Sequence, residues 1–591
     1  MPVFLHEVLA VRARAHGGAP AFTVHGGSSL TFQEWHERAR AYGAALKVRS
    51  GDRVLLVFSD DEWQSFAACF AAVTGAGGTA VAVRRPVPSG RLAEMARLVG
   101  AVGAVTGRGV PPVPGCAWTV PVADLPPSSA PGEAARPVEA GWPAKTRPAP
   151  EQPASILFTS GTTGRPRAIV CPHADLMTTR RMRDDLLRPQ QRALLTSVAV
   201  GTNAAQTTLR DCLRNGVHTV LVNPFDPDAV GPLAEEHGVS AVSLVPTTAR
   251  LAAEALVRAG RTLPHVRSVV CSSAPLDRTT VARLAEAFPN ARIRNVYTMA
   301  EGGPSLVASC APDRQPALGA LGPGVRVAGE DGRDVQAGQV GELMLRAGAR
   351  RRSYVPAPSP PGGSGTRYLP GGWIATGDLC RVEADGTLVF VARADDVIIS
   401  GGRNIAATTV EAELRTHPSV RDVAVFGVPH ESLGQMLVAA LVLTEDGALP
   451  RVREHAARRL PAEHVPHDLV VVPEIPATAS GKPRKRVLME RYRSAPSPAT
   501  ALDADAADAA GAAGGVEATV AATLRDVLDV PALDGDGNFF RLGGHSLLAV
   551  RVAAELSSRT RQEVPAEWVL RYPRVRDLAS VIARARDERV R

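Results

Sequence analysis

The chain has 591 residues, 45% of them hydrophobic, which is too long for one domain and ample for several cores. Its net charge of +8 comes from arginine scattered without a dense basic run, which excludes a dedicated nucleic-acid face; seven cysteines with no C-x-x-C pair exclude a disulfide framework or zinc site and fit a reducing cytoplasm. The N-terminal MPVFLHEVLAVRARAHGG is too charged for a signal peptide, and no stretch reaches the roughly 18 apolar residues that span a bilayer, so a cytoplasmic protein with neither nucleic-acid nor membrane partner is expected.

From Leu30 the sequence reads LTFQEWHERARAYGAAL, where Thr31 and Glu34 have capping-box spacing and Trp35, Ala39, Tyr42 and Leu46 recur at helical intervals. GDRVLLVFSD, EWQSFAACFAAVTGAG and GTAVAVRR then alternate strand, helix and strand, as a parallel α/β sheet requires. Residues 107–153, rich in proline, alanine and glycine, read as a surface excursion. The apolar strand SILF follows and opens into LFTSGTTGRPRAI, Leu157 to Ile169. There Thr159, Ser160, Thr162 and Thr163 offer hydroxyls, while Gly161 and Gly164 let backbone N–H groups converge on an anion. The Walker A spacing is absent, and the composition alone also fits an ordinary surface turn.

The α/β alternation continues through ALLTSVAV, HTVLVN, VSAVSLVP and VRSVVCSSAP, then NVYTMAEGG. GGWIATGDLC places the Asp378 carboxylate at a turn after a strand. Ala394-Asp395-Asp396 joins strand-like VFVA to VIIS with no room for a structured linker, so any rotation there concentrates in a few φ/ψ pairs. A small α+β unit follows and ends in EIPATASGKPRKRVL. Residues 494–515, almost without large apolar side chains, read as a linker. A last helical unit contains NFFRLGGHSLLAVRVAAEL, in which Ser546 opens a helix.

TSGTTGRPR resembles the pyrophosphate loop of the adenylate-forming superfamily, with Arg167-Ala168 where that family usually has Lys-Gly. TMAEGG, TGDLC, GGRNI and PATASGK resemble its later blocks, and GGHSL after Phe-Phe resembles the thiolation, or peptidyl carrier, domain. The resemblance covers nearly the whole chain. It implies an α/β large adenylation domain at 1–394, a small α+β subdomain at 395–493, a linker at 494–515 and an all-α four-helix carrier domain at 516–591.

The resemblance also implies roles. Thr159, Ser160, Gly161, Thr162, Thr163 and Gly164 hold the phosphates of ATP, Tyr297 lies near adenine, and Asp378 with Arg393 anchors the ribose. Glu301 helps hold Mg2+, Lys482 bridges substrate carboxylate and phosphate, and Asp395 is the hinge that brings Gly401-Gly402 to the thiol tunnel. Ser546 carries 4'-phosphopantetheine, so a phosphopantetheinyl transferase and a downstream condensation, synthase or tailoring enzyme in trans are implied partners. The substrate, a small carboxylic acid, would meet Asn203, Ala204, Thr207, Ser243, Val269, Cys271, Val296, Pro304 and Ser305. Amino-acid-activating members usually carry aspartate where Asn203 stands, so an aryl or hydroxy acid without an α-amino group is expected. An α-amino acid substrate, delivery to free coenzyme A and a non-catalytic carrier scaffold are the alternatives.

Overall fold

The computed structural model describes residues 4–126, 148–160, 166–177, 193–347, 352–355, 366–400, 403–430, 433–478, 483–494 and 514–590, apart from 529, 531, 532, 534, 536, 541, 543 and 545. Two compact units divide between Phe390 and Val391, and the C-terminal helices belong with the second. The expected linker falls largely outside the described residues, as do 127–147. Within them, no helix is long and apolar enough to cross a membrane.

The first unit contains three sheets. One has eight strands, with Ser268–Ser272, Val239–Leu244, Ala193–Thr196 and His218–Leu221 parallel at its centre. A second has seven, centred on Pro153–Ser160, Thr79–Arg84, Arg53–Phe58 and Gly103–Thr106. Trp118–Pro121 adds to its edge, so part of the proline-rich excursion is a strand. From Phe66 on, the helix Trp63–Gly75 is buried all round and its side chains are almost wholly apolar: one core cluster joins it to Phe22 of the first sheet and to Val54, Leu56 and Phe58 of the second. The two buried indoles keep their N–H groups bonded, Trp35 to the Ala67 carbonyl at 3.0 Å and Trp63 to that of Val198 at 2.8 Å. The third sheet is antiparallel, built from Gly319 to Arg393.

Local signals set the ends of several helices. Thr31 caps the helix Phe32–Ala45 and Glu34 closes the capping box, as the spacing predicts. Thr202 accepts from the Ala205 N–H at 3.1 Å and starts the helix Asn203–Asn215, which ends at Gly216 with φ 60°. Its last turn is held by a fully buried arginine: Arg12 donates to the Leu213 and Arg214 carbonyls, each at 2.8 Å. A Cβ at Gly216 would lie 2.6 Å from the Arg12 guanidinium, so the packing as well as the backbone demands glycine.

The second unit begins with a five-stranded sheet whose long pair is Val420–His430 and Gly434–Leu443, and both its faces are apolar. Alternation turns Val423 and Val425 toward the helices Ala407–Leu414 and Leu449–Arg459, and Ala424, Phe426 and Val428 the other way. Four helices follow, Gly514–Leu528, Ser546–Thr560, Ala566–Arg571 and Val575–Val590.

Arg12→Met keeps the volume but leaves two buried carbonyls without a donor, and it should cost about 2–4 kcal/mol. A lowered midpoint of the first thermal transition is expected; an unchanged midpoint would show that Arg12 does not hold the Asn203 helix.

Candidate functional site

The glycine-threonine loop connects two antiparallel strands, Pro153–Ser160 and Pro166–Pro172, with Thr159 opposite Arg167 and Ser160 opposite Pro166. Thr159 and Ser160 end the first strand, whereas Gly161, Thr162, Thr163 and Gly164 lie outside the described residues. Ala168, where a glycine is usual in the resembling loops, is buried in a cluster with Ile156 and Leu92. Its methyl group is therefore accommodated by the core.

Beside this hairpin the short strand Ser353–Tyr354 pairs with Val170 and Ile169. It brings in a group of side chains that the sequence reading missed. Arg352 is only 8% exposed, and its guanidinium donates to Asp175 Oδ2 at 2.5 Å, Asn203 Oδ1 at 2.8 Å and the Ala300 carbonyl at 3.0 Å. Its own backbone is held too: its N–H donates to the Glu301 carbonyl at 3.3 Å and its carbonyl accepts from the Tyr368 hydroxyl at 2.6 Å. Tyr354 donates to Glu301 Oε1 at 2.5 Å, and the Arg167 guanidinium lies 6.0 Å from the Tyr354 ring centre. A polar run RRRSY after the strand VGELMLR, with a single aromatic in it, was the only available signal.

Four elements distant in sequence thus meet: the short helix His173–Leu176, the helix from Asn203, the Ala300-Glu301 turn and the strand from Ser353. Burial and the neighbouring Glu301 carboxylate push the Tyr354 phenol well up, so it stays a proton donor. Tyr297 is likewise pushed up by burial and by Asp378, to whose carboxylate its hydroxyl donates.

Asp378 was expected at a turn. The strand Trp373–Val382 in fact continues through it, and Gly377 at φ 74° forms an irregularity where pairing with Val340–Arg346 shifts register. The left-handed glycine displaces the carboxylate without ending the strand. Thr376 Oγ1 accepts from the Asp378 N–H at 3.0 Å, and Glu342 Oε1 accepts from Gly377 N–H at 2.8 Å.

The expected substrate residues do not all gather. Asn203, Ala204 and Thr207 share the first turns of one helix and are half-buried. Ser243 and Val296 are half-buried on the strands Val239–Leu244 and Arg292–Tyr297, while Pro304 is half-buried and Ser305 exposed in the segment beyond. Val269 and Cys271 pair with Val242 and Leu244, so alternation puts them on the opposite face from Ser243. There they are fully buried against Ala249, Ala253 and Leu284, and burial pushes the Cys271 thiol up to about 12.

Arg393 ends the strand Thr387–Arg393 and Asp395 lies in the 3-10 turn Ala394–Asp396, both in the second unit. Ser546 is the first residue of its helix. Lys482, Gly401 and Gly402 lie outside the described residues. No group of three His, Cys, Asp or Glu side chains among the described residues could hold a metal ion. A cation at Glu301 would therefore have one protein carboxylate, with Tyr354 fixing one of its oxygens, and would take its other ligands from phosphate and water; this fits the way Mg2+ is bound.

Residues 9–355 match the AMP-binding enzyme family, 409–482 the AMP-binding enzyme C-terminal domain and 518–582 the phosphopantetheine attachment site. The chain is similar to triostin synthetase I of Streptomyces triostinicus, at 32% identity over 57% of this chain and 65% of that protein. It is also similar to a salicyl-AMP ligase / salicyl-S-ArCP synthetase of Mycobacterium tuberculosis, at 30% identity over 80% of this chain and 87% of that protein. The structure of the amide bond synthetase McbA from Marinactinospora thermotolerans matches with a TM-score of 0.65 and 25% identity, covering 82% of this chain and 99% of that one.

The raised phenols have a consequence for alkaline stability. A phenol whose folded pKa lies above its unfolded value contributes stability that is fully present below about pH 10 and declines as pH rises further, because the unfolded chain releases its proton first. Spectrophotometric titration of the six tyrosines should show late-ionising components for Tyr297 and Tyr354, and Tyr354→Phe should remove one. Loss of an early-ionising component instead would contradict the buried Tyr354–Glu301 bond.

Proposed function

The chain belongs to the AMP-binding enzyme family, and we propose that it activates a small carboxylic acid lacking an α-amino group and loads it onto Ser546 of its own carrier domain. One observation carries the choice of acid. Arg352 can only donate, so the amide oxygen of Asn203 faces it and is already used, which leaves the amide NH2 as the group Asn203 can offer a ligand. A donor beside a buried guanidinium suits a hydroxyl or an anionic group and opposes an ammonium, which would find no negative partner on Asn203. The name of the salicyl-activating relative agrees with this reading, which favours aryl and other hydroxy acids.

The chemistry asked of the site is to turn a carboxylate, whose leaving group would be oxide, into a good electrophile. A carboxylate oxygen attacks the α-phosphorus of ATP in line, the bond to the bridging oxygen breaks, and pyrophosphate leaves. Residues Thr159 to Gly164 hold the β- and γ-phosphates, and Lys482 stabilises the transferring charge. Asp378, one oxygen of which is held by Tyr297, accepts from the ribose hydroxyls, and Arg393 donates to a ribose oxygen. Glu301 would hold Mg2+, which when bound would supply positive charge against that building on the phosphates. Tyr354 fixes the Glu301 carboxylate, and Arg352 fixes both its backbone carbonyl and Asn203, so the metal and acid subsites share one support. Rotation near Asp395 then withdraws Lys482 and brings up Gly401-Gly402. Ser546 would carry the phosphopantetheine arm installed by a transferase; its thiol would attack the acyl carbon as the bond to AMP breaks, and a downstream enzyme in trans would take the acyl group. A carrier domain on the same chain favours this route over release to coenzyme A.

ATP–pyrophosphate exchange over a panel of acids tests the reading. Hydroxybenzoates or other hydroxy acids should exchange fastest, and Asn203→Asp should shift the ratio toward α-amino acids by about tenfold or more. Strong exchange with a standard α-amino acid and none with hydroxy acids would overturn it. Lys482→Ala should lower exchange by roughly 100- to 1000-fold while leaving transfer from preformed acyl-adenylate largely intact. Near-normal exchange would remove the lysine from the mechanism.

A further inference from the structure

In the second unit the sheet face bearing Phe426, Val428, Met436 and Val438 is covered partly by Leu488 and Tyr492 of the helix Lys485–Ser494. The rest of that apolar cluster is supplied by the C-terminal region, through Phe539 and Phe540 in the segment before the Ser546 helix and Val575 at the start of the last helix. Polar contacts cross at the margin of the apolar patch. Asn538 Nδ2 donates to the His467 carbonyl at 2.8 Å, and His430 Nε2 donates to the Phe540 carbonyl at 2.9 Å. The Phe540 ring stands edge-on to the His467 imidazole with centres 4.2 Å apart.

Two ion pairs cross as well, with opposite polarity. Asp468 is 0% exposed; its Oδ2 accepts from the Tyr492 hydroxyl at 3.0 Å, and its Oδ1 accepts from Arg574 at 2.6 Å. Arg453, also buried, lies 2.9 Å from Asp577 Oδ2. The small subdomain thus buries two charges of opposite sign, Asp468 and Arg453, and the C-terminal region delivers both counter-charges, Arg574 and Asp577. Separating them would leave Asp468 and Arg453 without those partners in a site built to exclude water.

We infer that this sheet face is a docking surface whose occupant is the carrier domain of the same chain, so that the small subdomain and the carrier enter the reaction as one body. This does not rest on the proposed substrate. The segment that docks, Asn538–Phe540, lies just before the helix that opens at Ser546, so the surface holds the end of the carrier that bears the attachment site. The short covalent connection between Ser494 and Gly514 keeps the carrier at an effective concentration on the order of millimolar, so contacts of ordinary strength suffice to keep it docked. The reciprocal charges make the fit selective, since a carrier lacking a cation at Arg574 and an anion at Asp577 would remove one counter-charge from each buried group.

Hydrogen–deuterium exchange on the full chain tests this. Asp577→Arg should speed exchange at 467–471 and at 537–540 by about tenfold or more, and adding Arg453→Asp should bring both back to within about threefold of the parent. His430→Phe, which leaves the carrier sequence intact, should speed exchange at 537–540. Unchanged exchange in Asp577→Arg and His430→Phe, or a double variant no more protected than Asp577→Arg, would overturn the docking surface.

Discussion

Arg352 carries a full charge at 8% exposure, and such a charge stays inside where the surrounding structure supplies a counter-charge and further acceptors. Asp175 supplies the counter-charge, and the Ala300 carbonyl and Asn203 amide oxygen take further N–H groups. Because these acceptors come from separate elements, their positions are fixed against one another by a single side chain. Arg352 directly precedes the strand whose Tyr354 orients Glu301, so one short stretch of chain fixes both the Asn203 amide and the Glu301 carboxylate. The helix bearing Asn203 is pinned at its other end by Arg12, a second buried guanidinium spent on backbone carbonyls. Both ends of that helix depend on arginine.

Much of this was legible in the sequence where the information is local. The capping box of Thr31 and Glu34 and the strand into TSGTTG follow from neighbouring residues and fixed periods. The Asp175–Arg352–Asn203 group was not legible, because its members are 149 and 177 positions from Arg352 and each alone is an ordinary polar residue. Asp378 was expected at a turn and lies within a strand, since a bulge at Gly377 and a turn share the same glycine signature. Val269 and Cys271 illustrate the sensitivity of strands to register. A pairing with Val242 and Leu244 sends them into the core, and no periodicity in VVCSS says which alternate set faces which side.

The second unit shows a related economy. Its central strands are apolar on both faces because helices cover one side and the C-terminal helices complete the other, which explains the near-continuous runs VAVFGV and MLVAALVL. A composition that reads as a linker says nothing about whether the domains it joins touch. That depends on side chains such as Asp468 and Asp577, which look solvated in sequence and are paired across the contact.

The central claim is that one chain both activates an acid and receives it. Intact-protein mass spectrometry of the phosphopantetheinylated chain, incubated with ATP, Mg2+ and a hydroxybenzoate, measures this directly. The account predicts a mass gain equal to one acyl group, located on the peptide containing Ser546 and absent from Ser546→Ala. An acyl group retained by Ser546→Ala, or ATP turnover with no acylated protein from any acid, would contradict it.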